Sequence, residues 1–178
     1  MSRFASRLTP IQDLLVIDRL PLRDERGFFS RMFCQEQFSA FGFSGASQIG
    51  QSLTHQQGAV RGLHFQRPPH DDAKFVSCLA GAVFDVAVDM RPNSATYLRW
   101  HGETLSAENF RSMLIPGGFA HGFQTLTEDC LLIYVHDKPH APSAEGGVHA
   151  LDPKLSIAWP LPVGLMSERD RALPMTAA

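Results

Sequence analysis

Two short segments of the chain hold single histidines in surroundings that suit catalysis. They are Arg61-Gly62-Leu63-His64-Phe65-Gln66 and Ile115-Pro116-Gly117-Gly118-Phe119-Ala120-His121-Gly122-Phe123. Each sets one histidine, His64 or His121, beside glycines and apolar residues in a β-rich stretch. A small β-barrel would present such residues as a few polar groups in an otherwise apolar cavity. The pattern therefore predicts an enclosed site for a small molecule.

A metal site is not expected. Pro116-x-Gly118-x-x-His121 resembles the second motif of the cupin superfamily, some members of which bind a metal through a His-x-His pair in their first motif. Here His64-Phe65-Gln66 offers one imidazole, and the cationic Lys74 follows it. Divalent transition metals need several imidazole or carboxylate ligands that converge on one point. We therefore expect no metal ion at His64 and His121.

A histidine and a lysine on adjacent strands support a different chemistry. Removal of a proton beside a ketone builds negative charge on the carbonyl oxygen, and a desolvated ammonium stabilises that enolate. His64 as proton acceptor and Lys74 as electrophile would supply both functions. The nearby Asp71 and Asp72 belong to a turn-like Pro-Pro-His-Asp-Asp segment, so we do not expect them to complete a metal site.

Composition narrows the function classes. The 178 residues include 16 Lys+Arg and 18 Asp+Glu, and no basic stripe interleaved with aromatics could follow a nucleic-acid backbone. We interpret Cys34, Cys78 and Cys130 as buried reduced thiols. The N-terminus lacks the apolar core of a signal peptide, and no apolar run reaches the roughly 18 residues that a membrane span needs. We expect a soluble, cytoplasmic protein with one domain over residues 1–178, without nucleic-acid or membrane partners.

Short apolar runs between turn signals predict an all-β protein. Ala80-Gly81 and Thr127-Glu128-Asp129 are interpreted as hairpin turns that join neighbouring strands. Helices are predicted at Glu36–Phe41 and from about Ser167. Together these elements favour an antiparallel sandwich or barrel, a jelly roll with a few short helices. The predicted strands are Leu14–Asp18, Gly58–Phe65, Phe75–Leu79, Val83–Met90, Tyr97–Leu105, Ser112–Ile115, Gly122–Leu126 and Cys130–His136.

Several longer motifs, in order along residues 14 to 174, resemble the dTDP-4-dehydrorhamnose 3,5-epimerase family. The resemblance implies a cupin-type jelly roll that forms a homodimer, and a cofactor-free epimerase acting on a nucleotide-linked 4-keto-6-deoxyhexose, with a dTDP-linked sugar as the expected substrate. The motifs are Asp24-Glu25-Arg26-Gly27-Phe28-Phe29, Arg61-Gly62-Leu63-His64-Phe65-Gln66, Lys74, Gly81-x-Val83-Phe84-Asp85-Val86-Ala87-Val88-Asp89-x-Arg91, Leu105-Ser106-x-x-Asn109 and the segment 115–123.

The resemblance also implies roles for individual residues. His64 would be the general base, with Asp170 as the carboxylate that orients its ring and favours the imidazolium. Lys74 would stabilise the enolate oxygen, and Tyr134 would return a proton from the opposite face. The family pattern further places Arg61, His121 and Arg26 near the diphosphate or the sugar, with Arg26 supplied by the partner subunit.

The chain departs from the family pattern at positions that would contact the nucleotide. His140 stands where a tyrosine usually stacks on the thymine ring, and Arg31 replaces a glutamate. Upstream of Arg61 the family has a Gln-Asp-Asn stretch, whereas this chain has Ile49-Gly50-Gln51, so only Gln51 carries over. Arg169 replaces a lysine beside Asp170, while Glu145 is kept. The remaining predicted substrate-binding residues are therefore Gln51, His140, Glu145 and Arg169.

Structural roles remain open alternatives for these side chains. His64 and His121 fit hydrogen-bonded core histidines, Ser167-x-x-Asp170 fits a helix capping box, and Tyr134 fits a packed strand residue. Lys74, Arg61 and Arg26 fit a turn lysine, a salt-bridged strand residue and a turn-stabilising residue. For function, single epimerisation at one carbon, a different nucleotide carrier, a metal-dependent oxygenase and a non-catalytic sugar-binding cupin also stay open.

Overall fold

Strands alternate between two facing antiparallel sheets along most of the chain. The computed structural model describes residues 2–176. Sheet I has the strand order β1-β2-β10-β7-β12-β5, sheet II has the order β13-β6-β11-β8-β9, and β3 and β4 form a separate hairpin. The strands are β1 (Phe4–Leu8), β2 (Leu15–Arg19), β3 (Leu22–Asp24), β4 (Gly27–Phe29), β5 (Gln48–Thr54), β6 (Val60–Gln66), β7 (Lys74–Ala80), β8 (Ala82–Asp89), β9 (Trp100–Ser106), β10 (Arg111–Ile115), β11 (Phe119–Thr125), β12 (Cys130–His136) and β13 (Glu145–Gly147).

This sandwich confirms the predicted all-β jelly roll. All eight predicted strands are present, and the helices α1 (Gln35–Ser39) and α2 (Glu168–Arg171) lie where helices were expected. A 3₁₀ turn covers Pro142–Ala144. The strands β1, β3, β4, β5 and β13 were not predicted. Four residues of β1 and all three residues each of β3 and β4 are exposed, so they lack the buried alternation that identifies a strand in a sequence.

The two predicted hairpin turns are wrong. Ala80-Gly81 connects β7 in sheet I to β8 in sheet II, and residues 127–129 connect β11 in sheet II to β12 in sheet I. The two crossings lie side by side, because the Leu126 N–H donates to the Ala82 carbonyl at 2.8 Å. In this protein a short turn signal between two strands thus marks a corner of the sandwich. The chain passes to the other sheet there, and β7, for example, pairs with β10 and β12 and not with β8.

The space between the sheets is apolar at one end and polar at the other. Buried side chains from both sheets, such as Cys78, Leu132 and Phe123, form the main core cluster, and Tyr134 packs against its edge. Side chains alternate along β12, so Leu132, Tyr134 and His136 share its inward face. Beyond Tyr134 the inward-facing residues become polar, which places a polar cavity at the end of the core.

Two further segments cover the outer faces of the sheets. Phe38 in α1 packs edge-on against Phe75 of β7 with ring centroids 4.7 Å apart, in a second core cluster outside sheet I. The C-terminal segment packs Val148 and Leu155 against sheet II. It ends in α2, which contacts β6 and carries Asp170 to the site.

The three cysteines are free thiols. Cys78 and Cys130 are buried, and Cys34 is half-buried. Burial raises the pKa of Cys78 to about 12, which keeps that thiol protonated.

Among residues 2–176, no helix has both the length and the apolar character to cross a membrane.

Candidate active site

A cavity of about 280 Å³ opens between sheets I and II where the apolar core ends. Sheet I contributes β5, β7 and β12 to its walls, and sheet II contributes β6, β11 and β13. Such a mixture of aromatic, cationic and hydrogen-bonding groups is typical of a small-molecule site. The lining residues are Gln48, Ser52, Arg61, His64, Phe65, Gln66, Asp72, Lys74, His121, Gly122, Phe123, Tyr134, His136, Lys138, His140 and Glu145.

A bulge in β6 brings Arg61 and His64 to the same wall although they are three residues apart. His64 pairs with His121 and Arg61 pairs with Phe123, so β6 has one residue more than β11 in this stretch. Glycine is required on both strands. A Cβ at Gly62 would lie 2.7 Å from the Gly122 Cα, and one at Gly122 would lie 2.5 Å from the Arg61 carbonyl oxygen. The glycines beside the two histidines thus permit close approach of two backbones.

His64 is held by a buried carboxylate. Its Nε2 lies 2.7 Å from Oδ1 of Asp170, whose Oδ2 accepts a hydrogen bond from the Gly62 N–H at 3.2 Å. A carboxylate acceptor places the ring proton on Nε2 and leaves Nδ1 as a proton acceptor. Burial lowers the pKa of His64 below its usual value, although Asp170 acts in the opposite direction, so the imidazole is neutral near pH 7.

The capping interaction at α2 coexists with this pair. The Asp170 N–H donates to the Ser167 hydroxyl at 3.0 Å, which caps the helix as its sequence suggests. The Asp170 carboxylate, however, bonds to His64 and Gly62 on β6. Ser167 therefore fixes the position of Asp170, and Asp170 fixes His64.

Tyr134 lies on the opposite sheet from His64. It is on β12 in sheet I, its hydroxyl is 2.9 Å from the Ser52 hydroxyl, and burial raises its pKa to about 12. Its ring meets the His121 ring edge-on with centroids 6.2 Å apart, and His121 is the register partner of His64. The imidazole and the phenol therefore approach the cavity from its two sides, and the phenol is neutral at pH 7.

Lys74 shares a carboxylate with a second histidine. Lys74 begins β7 and is buried, with Nζ 3.6 Å from Oδ2 of Asp72. The same oxygen lies 2.7 Å from Nδ1 of His136. Burial acts to raise the pKa of Asp72, but the hydrogen bond with His136 and the charge of Lys74 outweigh it and lower this pKa. Asp72 is therefore a carboxylate inside the cavity wall.

The third cavity histidine, His121, also has a carboxylate partner. Its Nε2 lies 2.8 Å from Oδ1 of the fully buried Asp85 on β8. Oδ2 of Asp85 has no hydrogen-bond partner among the described residues. His121 is thus a cavity residue fixed from behind. Arg61 reaches the neighbouring sheet, where its Nη1 donates to the Thr54 hydroxyl at 3.3 Å.

His140, Glu145 and Arg169 form a charged group at the rim. Nε2 of His140 lies 2.8 Å from Oε1 of Glu145, and Nη2 of Arg169 donates to Oε2 of Glu145 at 2.9 Å. The hydrogen bond with His140, followed by that with Arg169, lowers the pKa of Glu145. The rim therefore combines an imidazole with a guanidinium at the mouth of the cavity, next to the His64 and Asp170 pair.

Arg26 and Gln51 do not line the cavity of this chain. Arg26 lies in the turn of the β3–β4 hairpin, where its Nη2 is 2.6 Å from Oδ2 of Asp24. Gln51 lies on the outward face of β5 with the exposed Ile49, while Ser52 faces inward. The other nine predicted site residues lie in the cavity wall, at its rim or directly behind it.

Sequence reasoning missed several polar groups of the site, four of which hold a predicted site residue or one another. Ser52, Asp72, Asp85 and His136 were given no role, although each contacts a cavity histidine, Lys74 or Tyr134. For His136 a signal existed, since it follows Tyr134 by two residues and shares its strand face. Asp85 stands in a quoted motif, but nothing in the motif reveals its contact with His121.

Potential metal ligands are spread over the cavity wall. Within the described part of the chain, no three His, Cys, Asp or Glu side chains form a group that could hold a metal ion. Both His64 and His121 engage Nε2 with a carboxylate. These two histidines therefore form pairs with different carboxylates, Asp170 on α2 and Asp85 on β8.

Comparison with known proteins gives one consistent family. The family profile described as dTDP-4-dehydrorhamnose 3,5-epimerase matches residues 8–178. An enzyme of that name from Salmonella typhimurium is 39% identical over 176 residues, which cover 94% of this chain and 92% of the relative.

Solved structures agree with the sequence match. A dTDP-6-deoxy-D-glucose-3,5-epimerase from Legionella pneumophila in complex with dTDP-4-keto-L-rhamnose has a TM-score of 0.91 and 38% identity, covering 97% of this chain and 92% of that one. A 3′-monoepimerase from Streptomyces bikiniensis in complex with dTDP-quinovose has a TM-score of 0.88 and 34% identity, covering 94% and 85%. Both single and double epimerases are thus similar to this chain.

Proposed function

The chain belongs to the dTDP-4-dehydrorhamnose 3,5-epimerase family, and we propose that it epimerises a dTDP-linked 4-keto-6-deoxyhexose at C3 and C5 in deoxysugar biosynthesis of the dTDP-rhamnose type. Two of the relatives reported above, from Salmonella typhimurium and Legionella pneumophila, carry this activity in their names, and the second holds a dTDP-4-keto sugar. A 4-keto group acidifies the hydrogens on both neighbouring carbons, so one cavity with one base and one acid can serve both inversions.

In the proposed mechanism, Nδ1 of His64 removes the proton beside the keto group. The imidazolium that forms faces the Asp170 carboxylate through Nε2, 2.7 Å away, which stabilises the charge as it appears. Because the imidazole is neutral near pH 7, it is ready to accept a proton without a prior ionisation. Negative charge then moves onto the keto oxygen to give an enolate.

Lys74 stabilises this enolate in the proposal. Its ammonium is buried in the wall and is outside hydrogen-bond distance of Asp72, so it can approach an oxyanion in the cavity. Electrostatic stabilisation by a buried ammonium is stronger than by one in bulk water. Tyr134 then donates its proton to the carbanion carbon from the sheet I side, and delivery to the face opposite from removal inverts the stereocentre.

One observation carries this proposal: His64 and Tyr134 enter a single cavity from facing sheets. A binding protein could use both side chains as hydrogen-bond partners. It would not need an imidazole neutral at pH 7 and backed by a buried carboxylate opposite a neutral phenol with a pKa of about 12. This arrangement favours an epimerase over a non-catalytic sugar-binding cupin.

Nucleotide binding is assigned to the cations and the rim. Arg61 is suited to the diphosphate because a guanidinium offers several fixed donors and a permanent charge. His121 would contact the sugar or the phosphates beside His64. His140 would stack on the base at the rim, in place of a larger aromatic ring, with Glu145 holding the edge of the imidazole and Arg169 holding Glu145. Recognition of the base would therefore depend on a charged group.

Single epimerisation at C3 is the second candidate, because the similar 3′-monoepimerase shows that the fold supports it. One and two inversions use the same base and acid and differ in how the intermediate ring lies in the cavity. The position of deuterium in the product separates the two candidates.

A homodimer completes the proposal. The β3–β4 hairpin exposes Phe28 and Phe29, and the edge strand β5 exposes Ile49 and Leu53, which are large apolar side chains for a free surface. A partner subunit would cover them, and Arg26 at the hairpin tip would reach the partner's cavity. Loss of the dimer should therefore remove activity, so a fully active monomer in light scattering would contradict this assignment.

The extent of the domain and the cellular location stay predictions. We propose that residues 1–178 form one cupin-type epimerase domain, since both sheets share one core and α2 closes the site on β6. The cytoplasm remains the expected location of the enzyme.

The direct test is incubation with dTDP-4-keto-6-deoxyglucose in deuterium oxide, followed by NMR. The proposal predicts deuterium at C3 and C5 and an inverted product, whereas deuterium at C3 alone supports the monoepimerase. His64→Ala should abolish incorporation, because it removes the base. Incorporation at an undiminished rate in this variant would refute the role of His64, and its absence in the wild-type enzyme would refute the proposed function.

A further inference from the structure

The cavity contains a further histidine-carboxylate pair, His136 with Asp72, to which the proposed mechanism gives no role. Nδ1 of His136 lies 2.7 Å from Oδ2 of Asp72, the same distance that joins His64 to Asp170. Lys74 lies 3.6 Å from that same oxygen, beyond hydrogen-bond range. The carboxylate therefore bonds to a histidine although an ammonium is nearby.

Within residues 2–176, the hydrogen bonds of Asp72 to other side chains go to His136 and Gln66. Oδ1 accepts from Nε2 of Gln66 at 3.2 Å, and the Gln66 Oε1 accepts from the Ala141 N–H at 2.6 Å. The Asp72 side chain is only 5% exposed, so water offers it little alternative. His136 and Gln66 thus hold the carboxylate in one orientation.

Strand pairing places His136 beside both Lys74 and Tyr134. His136 on β12 is the direct register partner of Lys74 on β7, and Tyr134 lies two residues earlier on the same face. The rings of Tyr134 and His136 stack with centroids 6.2 Å apart. The pair of His136 and Asp72 therefore lies between the ammonium assigned to the enolate and the phenol assigned to proton return.

The chemical consequence concerns Lys74. A buried carboxylate that loses a hydrogen-bond donor is driven toward the nearest cation, because an unpaired buried charge is costly. For Asp72 that cation is Lys74, which already forms an ion pair with it at 3.6 Å, and a small rotation would shorten this separation to a direct hydrogen bond. An ammonium that is already hydrogen-bonded to a carboxylate stabilises an enolate less.

We infer that His136 is a positioning residue, which engages Asp72 so that the Lys74 ammonium stays available to the enolate oxygen. The inference rests on the proposed function for its kinetic part, because the enolate belongs to that mechanism. Its structural part concerns one distance, between Nζ of Lys74 and Oδ2 of Asp72, and is independent of the substrate.

The test compares three substitutions. His136→Val removes the donor but suits a strand, and should lower kcat at least about tenfold with KM within about twofold, because the defect lies at the enolate. His136→Asn keeps a donor near the position of Nδ1 and should stay within about threefold of wild type. His136→Val combined with Asp72→Asn removes the competing carboxylate and should regain most of the rate that the single variant lost.

The chain offers a matched control. His55 and Asp129 form an exposed pair with the same 2.7 Å separation, and neither residue lines the cavity. His55→Val should leave kcat and KM unchanged. A crystal structure of His136→Val should show Nζ of Lys74 within about 3 Å of an Asp72 oxygen.

Each outcome decides the inference. It is overturned if His136→Val retains the wild-type kcat, if the double variant is as slow as His136→Val, or if the crystal structure keeps Lys74 and Asp72 apart. Failure of the proposed function would appear differently, as an absence of deuterium exchange in the wild-type enzyme. The distance in the His136→Val crystal would still test the structural part in that case.

Discussion

Asp170→Asn tests whether the buried carboxylate activates His64 or only supports the fold. The substitution keeps the size of the side chain, and its amide oxygen can still accept the Gly62 N–H, so the folded structure should persist. It removes the negative charge 2.7 Å from Nε2 of His64. It also places an amide NH₂ where it can donate to Nε2, which would move the ring proton to Nδ1, the proposed base atom.

The magnitude follows from the hydrogen bond that is lost. A hydrogen bond to a charged group contributes about 1.5–3 kcal/mol, and each 1.36 kcal/mol changes a rate about tenfold. Loss of the carboxylate charge alone therefore lowers kcat/KM by about 10- to 150-fold. The tautomer change adds to this loss, because a protonated Nδ1 cannot accept the substrate proton.

The pH profile gives an independent readout. Burial lowers the pKa of His64, and Asp170 opposes that effect. Without the carboxylate the pKa of His64 falls further, so the acid limb of kcat/KM should shift to lower pH while its plateau drops. An acid limb that stays in place or moves to higher pH would refute this reasoning, as would an unchanged plateau.

The assay is deuterium incorporation beside the keto group, followed by NMR across the acid limb. Asp129→Asn is the control, since it removes a carboxylate from the exposed His55 pair of the same 2.7 Å length. That variant should match wild type in rate and pH profile. Circular dichroism of both variants establishes that the folded state is retained.

Three further substitutions test the scaffold and the rim. Burial acts to raise the pKa of Asp89, but hydrogen bonds from Arg91, Ser94 and Thr96 outweigh it and lower this pKa from 3.8 to about 2. The ionised carboxylate therefore stabilises the folded state fully at pH values above its unfolded pKa, and this contribution is lost as the pH falls toward 2. Between pH 5 and 2 the free energy of unfolding of wild type should fall about 2 kcal/mol more than that of Asp89→Asn in urea denaturation, and parallel curves would contradict the assignment. Gly122→Ala should destabilise the protein by about 2–4 kcal/mol, since its Cβ would lie 2.5 Å from the Arg61 carbonyl, and an unchanged melting temperature would show that the strands can separate freely. His140→Ala should raise KM about fivefold with kcat retained, given about 1 kcal/mol for a stacked ring, and a fall in kcat alone would move His140 from the rim to the chemistry.

Local sequence patterns identify much of the fold and one wall of the site. Gly62 and Gly122, beside His64 and His121, are informative because the close approach of β6 and β11 leaves no room for a Cβ at either position. The eight predicted strands could be found because each contains buried apolar residues, which stand out in the sequence as short apolar runs. Strand β5 could not, because it lies at the edge of sheet I and exposes Ile49 and Leu53, so its apolar residues do not face the core.

Contacts between distant residues are the part that local pattern cannot reveal. His64 and Asp170 are 106 residues apart, and only the family resemblance joined them before the structure did. Asp72 was placed in a turn, because its approach to His136 depends on the register of β7 with β12. The corners after β7 and β11 were mistaken for hairpins because a turn signal does not state which sheet receives the next strand.

In the proposed mechanism the base His64 and the acid Tyr134 face each other across the cavity. The measurement that tests this most directly is the rate of deuterium incorporation and the rate of inversion in Tyr134→Phe, followed together by NMR on one sample. His64 can still exchange the proton on its own face, so incorporation should continue while the inverted product falls at least about tenfold. If incorporation and inversion disappear together, or if inversion continues at the wild-type rate, Tyr134 is not the acid opposite His64.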